Sequence, residues 1–131
     1  MNLLLDTHIW IWSVVEPQRL SARVVKQLNS PDNQLWLSSI SVWELLLLHR
    51  KRRIELEGEA EPWVRKTLDL LQLNEAPVTI DVALEVGLVN LPHDDPADRF
   101  LVATARVFNL TLVTADKRLI KAPGISVLAN Q

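Results

Sequence analysis

Short apolar runs of strand length alternate along this chain with longer stretches of helical period. Asn2-Leu3-Leu4-Leu5 predicts a strand buried on both faces, as in a parallel sheet covered by helices. Thr7-His8-Ile9-Trp10-Ile11-Trp12 is apolar enough to begin a helix packed on that sheet, and Glu16-Pro17 ends it, since a residue before proline avoids the helical region. Ser21 is the expected N-cap of a helix through about Leu28, with Leu20, Val24, Val25 and Leu28 at helical spacing. After the turn cluster Asn29-Ser30-Pro31-Asp32-Asn33, Leu35-Trp36-Leu37-Ser38 predicts a second strand. Ser41-Val42-Trp43-Glu44 opens the next helix with an S-x-x-E pattern, continuing through Leu45 to Leu48 into His49-Arg50-Lys51-Arg52-Arg53.

The second half repeats the alternation. An acidic loop from Glu55 to Glu61 leads to a helix with Pro62 in its first turn and Val64, Leu68 and Leu71 on one face. Pro77-Val78-Thr79-Ile80 is the predicted third strand, and Asp81 the cap of a helix carrying Val82, Leu84, Val86 and Leu88. Asp95-Pro96-Ala97-Asp98 starts a helix running through Val107 that Asn109 closes. Thr111-Leu112-Val113-Thr114 predicts a strand, Ala115 to Leu119 a helical turn, and Ile125 to Leu128 a final strand. Strands alternating with helices imply an α/β fold with a parallel sheet and right-handed crossovers.

Composition narrows the class. The 131 residues fit one domain with a core of its own, and 48% apolar with 23% charged residues is ordinary for a globular protein. A net charge of −2 gives no nucleic-acid footprint over the whole chain, so a local basic patch or a metal would have to attract phosphates. The absence of cysteine excludes disulfides, thiolate zinc sites and thiol nucleophiles. The apolar start lacks a positively charged leader, and the run from Leu45 to Leu48 is too short to span a bilayer, so no membrane partner and a cytoplasmic location are expected.

Four carboxylates stand at strand ends or near the first turn of a following helix: Asp6, Glu44, Asp98 and Asp116. Capping alone would account for three. Glu44 is the fourth residue of a capping box, Asp98 follows an Asp95 N-cap at capping-box spacing, and Asp116 favours the positive end of a short helix. Asp6 is the exception, because no helix clearly needs it as a cap. In a parallel sheet all four face one edge, beyond the carboxyl ends of the strands where ligands bind. Converging there, they would repel one another unless hard cations neutralised them. Magnesium and manganese prefer oxygen ligands and suit metal-assisted phosphodiester hydrolysis.

Leu5-Asp6-Thr7-His8, Ser41-Val42-Trp43-Glu44, Asp95-Pro96-Ala97-Asp98-Arg99 and Val113-Thr114-Ala115-Asp116 together resemble the PIN-domain ribonucleases, and more narrowly the VapC-type toxins of bacterial toxin–antitoxin pairs. The resemblance spans essentially the whole chain, 1–131, as a single PIN domain. It implies a three-layer fold with a central, mostly parallel sheet flanked by helices. It also implies a Mg2+- or Mn2+-dependent endoribonuclease, usually a homodimer, silenced by a cognate antitoxin. Asp6, Glu44 and Asp98 match the three core metal-binding acids, Asp116 the fourth, and Thr114 the hydroxyl that helps position a water or metal. Asp95 matches an acid seen before the proline in one subgroup, a possible further ligand. Asp94 and Ala97 depart from that subgroup, which has arginine and phenylalanine there, and bear on substrate access beside the site.

Other features have two readings each. Arg50, Lys51, Arg52 and Arg53 are either a solvated helix end or an RNA contact, roughly 10 Å or more along the axis from Glu44. Of five tryptophans, Trp10, Trp12 and Trp43 fall near the acids, where one could stack on a base. The Leu45 to Leu48 helix is expected to be deeply buried or part of an interface. His8 and His93 are expected to pack or hydrogen-bond rather than catalyse. Rival functions are a haloacid-dehalogenase-like phosphohydrolase using Asp6 as nucleophile, a non-catalytic RNA- or protein-binding PIN module, and a metal-free ribonuclease using both histidines.

Overall fold

A computed structural model describes residues 1–131. The strands β1 (Asn2–Leu5), β2 (Gln34–Ser38), β3 (Asn74–Ala76), β4 (Thr111–Thr114) and β5 (Val127–Ala129) form one sheet in the order β3-β2-β1-β4-β5, every pair parallel. Helices α1 (Thr7–Val15), α2 (Ala22–Asn29), α3 (Ser39–Arg50) and α4 (Ala60–Leu70) make the connections among the first three strands. Helices α5 (Ile80–Val86) and α6 (Pro96–Phe108) lead from β3 to β4, and α7 (Lys117–Ile120) leads to β5. Successive strands run outward from β1 in one direction, and the chain then returns to lay β4 on the other side of β1. The crevice between the carboxyl ends of β1 and β4 is therefore the topological switch point where such sheets bind ligands.

The three leucines of β1 explain its central place. Leu3 and Leu5 enter a core with Ile9, Trp10, Val24, Leu45, Trp63 and Val64, contributed by α1 to α4. Leu4 points the other way, among Val82, Leu101, Val102, Ala103 and Leu112 from α5, α6 and β4. A strand covered on both faces must be apolar at successive positions, and burying each leucine contributes about 2 kcal/mol. Trp10 is fully buried and donates its ring N–H to the Thr67 hydroxyl at 3.1 Å, which anchors α1 to α4. Asn109 closes α6 in the left-handed conformation (φ 54°) as expected.

Four elements differ in their bounds or caps from the sequence reading. The third strand is Asn74–Ala76, not Pro77–Ile80. It pairs with β2 at the sheet edge, where polar residues are tolerated, and ends where Pro77 has no N–H to offer. Thr79 caps α5 by accepting the Val82 N–H at 3.1 Å, so Asp81 lies in the first turn and is not the cap, and Ile80 faces solvent. Helix α3 begins two residues before Ser41, because the Ser38 hydroxyl accepts the Ile40 N–H at 3.1 Å. It ends at Arg50, with Arg52 in the left-handed conformation (φ 57°), so the basic run straddles the helix end instead of continuing it. Of the four leucines, only Leu45 is buried; Leu46 is 43% exposed. The last strand is Val127–Ala129, placed two residues later than expected.

Candidate functional site

Strand β1 delivers Asp6 to the switch point. Its N–H continues the ladder by donating to the Val113 carbonyl at 2.9 Å, which fixes the backbone beside β4. Contrary to expectation, Asp6 is a helix cap: Oδ1 accepts the Thr7 N–H at 2.7 Å at the start of α1. Oδ2 accepts the Thr114 hydroxyl at 2.6 Å, and that hydroxyl also accepts the Asp116 N–H at 3.0 Å. Thr114 thus ties the β4 end to the β1 end. Each oxygen of Asp6 accepts one hydrogen bond, which fixes the carboxylate and leaves each oxygen a free lone pair toward the cavity.

The capping-box account of Glu44 fails. With Ser38 as the cap, Ser41 lies inside the helix with its hydroxyl buried and unpartnered, and Glu44 sits in the second turn. Its carboxylate instead lines the cavity beside Asp6. The capping half of the Asp95 reading holds: Asp95 Oδ1 accepts the N–H groups of Ala97 (3.0 Å) and Asp98 (3.3 Å). Asp98 does not reach back to complete a box. Its Oδ2 lies 2.7 Å from His93 Nε2 and 3.8 Å from an Arg118 nitrogen. Asp116 caps α7 through the Arg118 N–H (2.9 Å) and is gripped by the Arg118 guanidinium, with 2.9 Å between Nη2 and Oδ2. Of the two subgroup departures, Asp94 is solvent-exposed 3.6 Å from Arg99 Nε, and Ala97 is buried at the start of α6.

Asp6, Glu44, Asp95, Asp98 and Asp116 all line one cavity of about 320 Å³, together with His8, Trp12, Ala115 and Arg118. Burial raises the pKa of Asp6, opposed by its hydrogen bonds to Thr114 and Thr7. Burial also raises Glu44, opposed by the Thr7 side chain and His8, with repulsion from Asp6 and Asp95 adding to it. Asp98 is pushed up to about 6, by burial first and then by Asp95, Asp6 and Asp116 against the His93 hydrogen bond. Asp116 moves the other way, held low by hydrogen bonds from Arg118, whose own pKa rises. Three acids that resist ionisation beside a fourth neutralised by arginine describe a pocket short of positive charge. As the side chains stand, no three acids or histidines are spaced to grip one ion, and Thr114, His93 and Arg118 each hold a carboxylate.

Arg118 is the site residue the sequence did not single out, whereas His93, expected to pack or hydrogen-bond, does hydrogen-bond Asp98. Nothing distinguishes Arg118 from an ordinary basic residue in a short helix. The histidines do not form a pair: His93 serves Asp98, while His8 packs against Trp12 with ring centres 5.7 Å apart. Trp12 alone of the three tryptophans near the acids lines the cavity; Trp10 is core and Trp43 is 54% exposed. Arg52 and Arg53 line a neighbouring cleft, whereas Arg50 and Lys51 are exposed and make no ion pair.

An all-parallel sheet in this strand order, with five acids around its switch point, defines the class. The PIN domain family model matches residues 3–125, and the chain belongs to that family. It is 36% identical over 123 residues to Ribonuclease VapC22 of Mycobacterium tuberculosis, covering 90% of this chain and 89% of that protein. Among solved structures it resembles FitAcB from Neisseria gonorrhoeae, with 26% identity, 98% of both chains covered and a TM-score of 0.66. The fold is also that of VapBC2 from Rickettsia felis bound to a DNA fragment from its promoter, with a TM-score of 0.74 over the whole of both chains at 18% identity.

Proposed function

We propose that this chain is a divalent-metal-dependent endoribonuclease and the toxin of a toxin–antitoxin pair. The observation that carries the reading is the convergence of five carboxylates on one cavity, three of them with raised pKa. The donors are hard oxygens, which fit Mg2+ or Mn2+ and not a soft metal. Asp6, Glu44, Asp98 and Asp116 are the ligands, and Asp95 serves as the cap that aims Asp98. A divalent ion held there supplies an activated water and stabilises the oxygen leaving the phosphorus. Thr114 orients Asp6, His93 orients Asp98, and Arg118 stands in for the cation until one is bound. The 36% identity to a ribonuclease favours RNA as the substrate, and the VapBC-type relatives favour a protein antitoxin as the partner. No helix is long and apolar enough to cross a membrane, consistent with a cytoplasmic RNA target.

The test is cleavage of single-stranded RNA by purified protein. Activity should vanish on chelation, return with magnesium or manganese, and be lost in Asp6→Asn while the fold is kept. Chelation-resistant cleavage would refute the metal assignment. Self-association into a homodimer is part of the same reading, motivated by Ile80, Leu84 and Leu88, which project from one side of the α5 region at 69–81% exposure. Light scattering should give twice the chain mass, and Leu84→Glu should reduce it to one.

A further inference from the structure

A second cleft of about 430 Å³ adjoins the acid cavity, and Trp12 lines both. Its rim carries three cations, Arg19, Arg52 and Arg53, against two acids, Glu16 and Glu55. Arg19 is held: its guanidinium carbon lies 4.2 Å from the centre of the Trp12 ring, and Glu16 lies 3.9 Å from it. Arg52 stands in the left-handed conformation with φ 57°, at a helix C-terminus where glycine is the usual solution. The Arg53 N–H closes that turn on the Leu48 carbonyl at 2.9 Å, which sets two successive arginines on the cleft.

We propose that this cleft is a phosphate-binding subsite for RNA, receiving a backbone phosphate beside the scissile one, with Arg19, Arg52 and Arg53 as its ligands and Trp12 as the floor that preorganises Arg19. The inference rests on the ribonuclease reading and names the path of the substrate from that site. RNA follows the exposed side of α1, from the acids past His8 and over Trp12 to the arginines. A polyanion approaching five carboxylates needs fixed positive charge nearby, and this is the basic surface contiguous with the acids. The subsite also divides the basic run, since Arg50 and Lys51 lie off the cleft and contribute no phosphate contact.

The test measures binding of a short labelled single-stranded RNA in the uncleaving Asp98→Asn protein, across a salt series. Arg19→Gln with Arg53→Gln should weaken binding about tenfold at low salt and reduce the slope of log Kd against log salt by about 1.4, two contacts at about 0.7 each. The charge-matched pair Arg23→Gln with Lys26→Gln on exposed α2 should change neither. Arg52→Gly, which suits the left-handed turn, should weaken RNA binding without lowering the melting temperature. Equal behaviour of the cleft and control variants, while the parent binds RNA and the wild type cleaves it, would overturn the subsite alone. Failure of the parent to bind RNA and of the wild type to cleave it would overturn the ribonuclease reading and the subsite together. Loss of affinity for the purified antitoxin, with RNA binding unchanged, would make the cleft a protein surface and overturn the proposal.

Discussion

Replacing Asp98 by asparagine should stabilise the protein in the absence of metal while removing its activity. Asp98 is only 7% exposed, and its carboxyl is raised from 3.8 to about 6. At 1.36 kcal/mol per unit, that difference corresponds to about 3 kcal/mol of destabilisation once the group is ionised in both states. The carboxylate opens onto the cavity, where solvent screens its charge, so about half of that, roughly 1.5 kcal/mol, is expected. For a domain of this size it translates to about 6 °C in melting temperature. Asparagine keeps an acceptor for His93 and discards the charge.

The sign follows from proton uptake. A folded-state pKa above the unfolded value means the native protein holds the proton longer, so stability falls as pH rises from about 4 to about 6 and is level above that. The advantage of Asp98→Asn should therefore be full at pH 8 and mostly lost at pH 4, where the folded-state carboxyl is protonated and the unfolded one is near its midpoint. Magnesium should reverse the ranking. At a hundred times its dissociation constant it adds about 2.7 kcal/mol to the wild type, more than the roughly 1.5 kcal/mol deficit, and much less to the variant. Thermal denaturation in chelator and in magnesium, at both pH values, checks all of this. A variant no more stable than wild type at pH 8 in chelator, or equally stabilised at both pH values, would refute the charge-repulsion account of the cavity.

Two other perturbations probe the same pocket. Arg118→Ala frees Asp116 and Asp98 from their cation, so magnesium should bind about threefold more tightly at low salt, read by calorimetry, with the difference shrinking as salt rises. Asp95→Asn should retain both stability and cleavage, whereas Asp95→Ala should lose about 1 kcal/mol, because asparagine caps a helix as well as aspartate does and alanine does not. Loss of magnesium binding in Asp95→Asn would make Asp95 a ligand instead.

The core and the order of elements were legible because hydrophobic period reports them directly. Three successive leucines bounded by polar residues fit a strand covered on both faces, and Leu3, Leu4 and Leu5 are each no more than 1% exposed. The misplaced third strand shows the limit. Asn74-Glu75-Ala76 carries no strand signal of its own, since an edge strand is defined by its partner β2, and Val78 and Ile80 mimic one while lying partly or fully in solvent. Likewise the S-x-x-E pattern at Ser41 is locally as good a capping box as any. The actual cap, Ser38, is chosen by where β2 ends. Long-range pairing decided both cases, and no window of sequence contains it.

The acids pose a different problem, in that local and functional readings are not alternatives. Asp6, Asp95 and Asp116 each accept a helix N-terminal N–H, and each also lines the cavity. Strand carboxyl ends and helix amino ends meet at the same edge of a parallel sheet, so a carboxylate placed there meets backbone donors whatever else it does. Those donors hold the oxygens in place and offset part of the burial cost, and Asp6 takes Thr7 and Thr114 for that purpose. Glu44 lies in the second turn of α3, beyond any orphan N–H, so it takes no backbone donor, and the Thr7 side chain and His8 offset only part of its burial. An acid at that position, half-buried and raised by Asp6 and Asp95, has no local reason to be there. Of the four it is the residue whose presence argues most strongly that the cavity is built for a cation, although a capping box accounted for it on sequence alone.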